Sequence, residues 1–208
     1  MSRARMLRTI LVRTLLLLAL LVAVTWGWRL PAVQAMRLMW ELQRMPAPDA
    51  LPVPVDGIRA NAIADTWGAA RGAGRSHEGV DIFASRGTVV RSATRGVVLS
   101  VREGGLGGRQ VWVLGPGGER HYYAHLDDWA PGLQRMDMLQ PGSLLGVVGD
   151  TGNARGTPPH LHYGIYREDG AYNPWPLLQE GAALRLPPLA SDGHRPQAGA
   201  DSRSDRAP

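Results

Sequence analysis

The sequence predicts a small, mostly β domain, an antiparallel sheet or sandwich, preceded by an N-terminal transmembrane helix. Three observations lead there. Four arginines precede an uninterrupted apolar run from Leu15 to Val24, the pattern of a membrane-directed segment that leaves its positive charge in the cytoplasm. From about residue 56 the apolar residues come in short alternating runs between glycine-rich turns, in a chain with 26 Gly and 16 Pro. Such alternation marks half-buried strands. No stretch from 56 to 180 sustains a helical period for three turns.

The segments follow in order. Residues 1–30 form the membrane segment. Counted from Ile10 to Trp28 it is long enough to cross a bilayer, with one Arg13 that can snorkel to the headgroups. Trp26 and Trp28 stand where interfacial aromatics stand. We read this segment as an uncleaved anchor in the cytoplasmic (inner) membrane. The alternative is a signal peptide cleaved at "AVQA" (32–35). Either way the body is expected in the periplasm or extracytoplasmic space. Residues 31–55 are expected to hold a short amphipathic helix, "AVQAMRLMWELQRM" (32–45), and a proline-spaced linker that begins "PAPDALPVPV". Whether residues 46–70 cover a site as a latch is left open.

Residues 56–185 form the β domain. "GVVLSVRE" (96–103) alternates, "RQVWVLG" (109–115) and "RHYYAHL" (120–126) flank the turn "PGGE", and "SLLGVVGD" (143–150) and "HLHYGIY" (160–166) follow. Residues 186–208 are polar, charge-balanced and without a core, so a disordered tail is expected; His194 lies in it.

Composition removes several function classes. The chain has no Cys, which excludes disulfides, thiolate metal sites and a cysteine nucleophile. The net charge of +5 is local. Residues 1–45 carry seven Arg against one Glu, whereas residues 46–208 carry 16 Arg against 17 acids. A nearly neutral body argues against a nucleic-acid surface.

The chemistry lies in three short motifs. In "RSHEGVDIFA" (75–84), His77 and Asp81 are four apart with Gly79 between them. In "TPPHLHYGIY" (157–166), His160 and His162 share a strand face. "YYAHL" offers His125. Zinc sites in hydrolases take three ligands from His, Asp or Glu and keep one position for water. His77, Asp81 and one of the His160/His162 pair make such a set, and the two remaining histidines would serve the proton and the reacting carbonyl. His121 shares a face with Tyr123 and His125 by period two and is read as structural or surface; Tyr123 and Asp150 are read as structural. The glycines of "GAARGAG" (68–74) are not followed by a helix and do not cradle phosphate. They are read as a flexible rim beside His77.

"HEGVDI", "YYAHL", "GDTGNARGTPPHLHYGIY" and "NPWPLL" together resemble the lysostaphin-type (LytM-like) zinc endopeptidases of peptidoglycan, over roughly residues 56–178. The resemblance implies a small antiparallel β fold with a groove across one sheet. It implies Zn²⁺ on His77, Asp81 and His162, with His125 and His160 as the catalytic pair that does not bind metal. It implies peptidoglycan peptides as substrate. Tyr163-Gly164 stands where the family often has Phe-Glu, and no ligand position is lost. Some relatives have lost ligands and only activate other wall hydrolases, so a non-cleaving envelope scaffold or activator is the alternative function.

Overall fold

A computed structural model describes residues 3–186. The tail expected over 186–208, with His194, lies outside the described residues except for Leu186.

Two helices open the chain: α1 (Arg3–Gly27) and α2 (Pro31–Leu42). α1 contains the one stretch among the described residues, Ile10–Gly27, that is long and apolar enough to cross a membrane, and it packs on nothing. Eleven strands follow: β1 (Ala70–Arg71), β2 (Arg75–Ser76), β3 (Val80–Phe83), β4 (Val89–Arg91), β5 (Gly96–Glu103), β6 (Arg109–Leu114), β7 (Arg120–Trp129), β8 (Met138–Leu139), β9 (Leu144–Val148), β10 (His160–Arg167) and β11 (Gly170–Tyr172). A short α3 (Trp175–Glu180) closes the described chain. The body is mostly β, as the alternation predicts.

β1 and β2 form a separate hairpin. The other nine strands make one antiparallel sheet in the order β11-β10-β7-β6-β5-β8, with β3 added to β10 and the β4–β9 pair joined through β9 to β7. The core lies on one face of the alternating strands: Val80, Ile82, Val111, Val113, Tyr123, Leu126, Leu161, Tyr163 and Ile165 are all buried there. Burying each such side chain stabilises by roughly 1.5–3 kcal/mol. The intervening residues of β6, β7 and β10 face outward and form the floor of a cleft.

Two expected segments differ from a free juxtamembrane region. α2 forms as predicted, but it docks on the body: Ala35, Leu38 and Leu42 are buried against Val97 of β5, and Glu41 pairs with Arg95 at 2.9 Å. The proline-spaced stretch is extended, as predicted, yet it is packed rather than loose. Leu51 and Val55 belong to the main core, Leu51 N donates to Leu177 O at 2.9 Å, and Val55 bridges Val90. The physical reason is visible in "LPVPV" (51–55). The prolines occupy alternate positions that need no ladder donor, while Leu51, Val53 and Val55 supply a period-two apolar face. Arg91 then forks onto Asp56, Nε–Oδ1 at 2.6 Å and Nη2–Oδ2 at 2.7 Å, locking the stretch to β4.

Candidate active site

β3 and β10 are antiparallel neighbours whose register sets His162 directly opposite Asp81 and His160 opposite Phe83. Two motifs about 80 residues apart in sequence thereby meet as a cross-strand pair. His77 enters from the loop before β3. His77 Nε2 lies 2.8 Å from His162 Nδ1 and 3.1 Å from Asp81 Oδ1, and His162 Nδ1 lies 3.2 Å from Asp81 Oδ1. The three atoms face one point and form a group able to hold a metal ion. His160 is outside that group, with Nε2 3.9 Å from Asp81 Oδ1.

The donor chemistry fits a divalent cation such as zinc. His77 Nδ1 donates to Thr66 O at 2.7 Å, because a carbonyl can only accept. That fixes the tautomer and leaves the Nε2 lone pair pointing at the shared point. Asp81 presents a carboxylate oxygen to the same point. At most the His162 Nδ1 proton stands among three acceptors. Tetrahedral zinc with bonds of ~2.0–2.1 Å would place its ligand atoms about 3.3 Å apart, close to the 2.8–3.2 Å separations here. Gly79 makes room: a Cβ there would lie 2.7 Å from His162 Cε1 and 2.7 Å from Tyr163 O.

Asp81 is tied on its other side. Arg71 Nη2 on the β1–β2 hairpin donates to Asp81 Oδ2, and Asp81 N donates to Thr66 Oγ1 at 3.0 Å. Burial works to raise the Asp81 pKa, but the adjacent imidazoles of His162 and His77 and the Arg71 guanidinium outweigh it and hold the carboxyl far below the usual carboxylate range. The "GAARGAG" stretch expected as a rim is thus partly this hairpin. Residues 46–70 supply Thr66 behind the site, and none of them lines the cleft.

His125 reaches the cleft by breaking the alternation of its own strand. By period two it belongs with buried His121 and Tyr123. Its φ is +64°, a left-handed backbone that β-strands do not use and that costs a non-glycine residue free energy. At this point β7 changes partner, from β10 at Ala124 to β9 at Leu126, and His125 N donates to Gly107 O at 2.9 Å. The side chain therefore turns toward His160 and His162, with ring centroids 5.0 and 5.9 Å away. His125 Nδ1 donates to Thr151 O at 2.8 Å and His160 Nδ1 to Pro158 O at 2.9 Å, so each presents an unprotonated Nε2. Burial, then the neighbouring His162 and His160, lower the His125 pKa to about 4.

The cleft around these groups encloses about 760 Å³. Trp112, Tyr122 and Tyr166 line it from adjacent strands, with Trp112 and Tyr122 stacked at 4.3 Å between centroids. Sequence reasoning missed Tyr122, Thr66 and Arg71. Tyr122 neighbours Tyr123 in "YYAH", and the strand period puts one of the two in the cleft and the other in the core. Tyr123 is the core residue, its hydroxyl accepting from Ala93 N at 3.0 Å. His121 is wholly buried and structural rather than superficial, 2.7 Å from the Tyr163 hydroxyl. Asp150 binds Arg86 at 2.6 Å.

Residues 75–174 match the model of Peptidase family M23. That segment is an M23 peptidase domain. The family members it resembles include an L-Ala–D-Glu endopeptidase of Bacillus subtilis, 38% identical over 62% of this chain and 43% of that protein. The chain thus spans less than half the length of that relative. Among solved structures, a LytM protein from Ruminococcus gnavus superposes with a TM-score of 0.55 at 33% identity, covering 74% of this chain and 66% of the other. The catalytic domain of lysostaphin from Staphylococcus simulans does so with a TM-score of 0.51 at 28% identity, covering 58% of this chain and 95% of that domain. The M23 segment contains every one of the five residues His77, Asp81, His125, His160 and His162.

Proposed function

We propose that the protein is a zinc-dependent endopeptidase that hydrolyses stem or cross-link peptides of peptidoglycan during wall remodelling. It would be held by α1 in the cytoplasmic membrane, with the β domain outside. The observation that carries the reading is the convergence of His77 Nε2, Asp81 Oδ1 and His162 Nδ1 on one point, at the edge of a cleft that His125 also lines, with His160 Nε2 3.9 Å from Asp81 Oδ1. A scaffold has no need of that set.

His77, Asp81 and His162 would hold the ion, and Arg71 would fix which Asp81 oxygen faces it. Zinc, when bound, supplies Lewis acidity toward a peptide carbonyl and eases ionisation of a water. The rest belongs to the chain. The aromatic row Trp112, Tyr122 and Tyr166 gives an extended peptide a flat wall beside the donors. His125, neutral at physiological pH, can accept the proton of the attacking water at Nε2 and return it to the leaving amine as the C–N bond breaks. His160 Nε2 lies next to the same space and can hold or orient the reacting groups.

The test is digestion of purified peptidoglycan by the full chain in detergent, with added zinc or with chelator, followed by mass analysis of the fragments. New peptide ends that vanish with chelator and with His160→Ala support the reading and identify the bond. Intact wall from a folded, zinc-loaded sample would favour the scaffold or activator instead. The peptidoglycan substrate class is supported by the resemblance to endopeptidases of that family; the L-Ala–D-Glu bond is that relative's own.

A further inference from the structure

α2 carries two apolar stripes, and the body uses only one. Ala35, Leu38 and Leu42 recur at i, i+3 and i+7 and are buried on Val97, with Met39, Met45 and Met136 beside them. Val33, Met36 and Trp40 repeat the same spacing on another face, roughly 160° around the helix at ~100° per residue. Met36 is 55% and Trp40 59% exposed. Two arginines border this second stripe. The Arg44 guanidinium lies 3.7 Å from the Trp40 ring centroid and that of Arg37 4.9 Å from the Trp28 ring. Trp28 and Leu30, also more than half exposed, continue the apolar surface toward α1.

The link to α1 has little slack. Only Trp28–Leu30 separate the helices, and they are themselves hydrogen-bonded: Trp28 N to Val24 O, Arg29 N to Trp26 O and Leu30 N to Gly27 O. Three residues span at most about 10 Å. A helix tied that closely to a membrane-crossing segment lies at the headgroup layer. Aromatic and apolar side chains flanked by arginines are what that layer accepts, and anionic headgroups complement the arginines.

We propose that Val33, Met36 and Trp40, with Arg37 and Arg44, form a membrane-surface contact that seats α2 in the headgroup layer of an anionic phospholipid bilayer. This rests on the reading of α1 as a membrane anchor. α2 is at once glued to β5 through its first stripe and to lipid through its second. The domain is therefore clamped at the membrane face instead of swinging on a tether. Its substrate must come to it, within about one domain diameter of the bilayer, on the order of 35–40 Å for a body of this size.

The chain lacks Cys, so single substitutions give unique spin-label positions. The full chain is placed in nanodiscs of phosphatidylcholine with phosphatidylglycerol. Labels at Met36→Cys and Trp40→Cys are compared with Gln34→Cys off the stripe, Asp169→Cys on the body and Leu17→Cys within α1. Accessibility is read against oxygen and a water-soluble nickel chelate. The expected result is shallow, oxygen-favoured exposure at 36 and 40, deep exposure at 17, and chelate-favoured exposure at 34 and 169. Chelate access at 36 and 40 equal to that at 169, with 17 still deep, overturns the proposal and spares the anchor. Labels at 36 and 40 shielded from both reagents point to a protein partner or second copy and also overturn it. Chelate access at 17 removes the anchor and the proposal together, while leaving the peptidase reading to its own test.

Discussion

β7 and β10 run side by side and carry a polar cluster at each end. At one end His77, Asp81 and His162 aim three donor atoms at a common point, with His125 and His160 alongside. At the other, Glu119, His121, Tyr163, Arg167 and Tyr172 form a cluster that points inward. Glu119 Oε1 accepts from Arg167 Nη2 at 2.7 Å and from the Tyr172 hydroxyl at 2.6 Å, while His121 binds the Tyr163 hydroxyl. Both clusters combine an acid with imidazoles, one at each end of this strand pair. The difference lies in who satisfies whom. The second cluster brings its own partners, Arg167 and the tyrosines, which occupy Glu119 Oε1 and His121 Nδ1, while Glu119 Oε2 and His121 Nε2 face each other at 3.8 Å, sealed from any other partner. The first brings carbonyls behind His77, His125 and His160 instead, which turns their lone pairs outward. A protein that needs an open metal position aims acceptors at each other; one that needs a packed edge pairs them off.

The comparison breaks most sharply on the ligands. His162→Ala should abolish both bound zinc and wall hydrolysis, read by metal analysis of the purified full chain and by fragment release. Retained stoichiometric zinc would remove His162 from the donor set. His125→Ala should keep the zinc and lower turnover by ~10²-fold or more, the scale of a lost acid–base group; an empty metal site in this variant would mean that its role is ligation. Arg71→Ala should weaken zinc binding by ~10-fold, as expected for loss of a group that orients a ligand. Competition with a chromophoric chelator would measure it, and an unchanged affinity would make the Asp81 contact incidental.

The other end should answer in stability. Glu119→Gln should lower unfolding stability by roughly 1–2 kcal/mol through the lost charge-assisted bonds, with zinc content unaltered. The effect of His121 depends on pH and is nil above its ordinary pKa. Burial lowers its pKa from 6.5 to about 3. Between those values the unfolded chain binds the extra proton and the folded chain does not. Stability is therefore undiminished by His121 above pH 6.5 and declines as the pH falls toward 3. His121→Phe should flatten denaturant midpoints over that window, and an undiminished slope would assign the acid sensitivity to other groups.

Much of this was legible in the sequence. The alternation in "GVVLSVRE" and "HLHYGIY" gave the strands, because a face buried against a core enforces period two. The H-x₃-D and H-x-H spacings nominated the residues of the donor cluster, because ligands clustered on one strand face leave a short sequence trace. "LPVPV" was legible only as extended. Whether an extended apolar stretch hangs free or docks depends on a partner surface, here β4 and α3, that no local pattern reports.

What the sequence determined by itself is the set of elements and the candidate chemistry: an apolar N-terminal helix, short strands, five residues of suitable type, and no thiol to compete. Tertiary structure decided the rest. It set Asp81 opposite His162 through the register of β3 on β10, and gave His77 its tautomer through Thr66 O. It also turned His125 out of the core by a left-handed residue where β7 exchanges β10 for β9. Strand period alone would have buried that histidine beside Tyr123. Only the change of pairing partner, a contact between segments far apart in the chain, makes the exceptional backbone angle worth its cost.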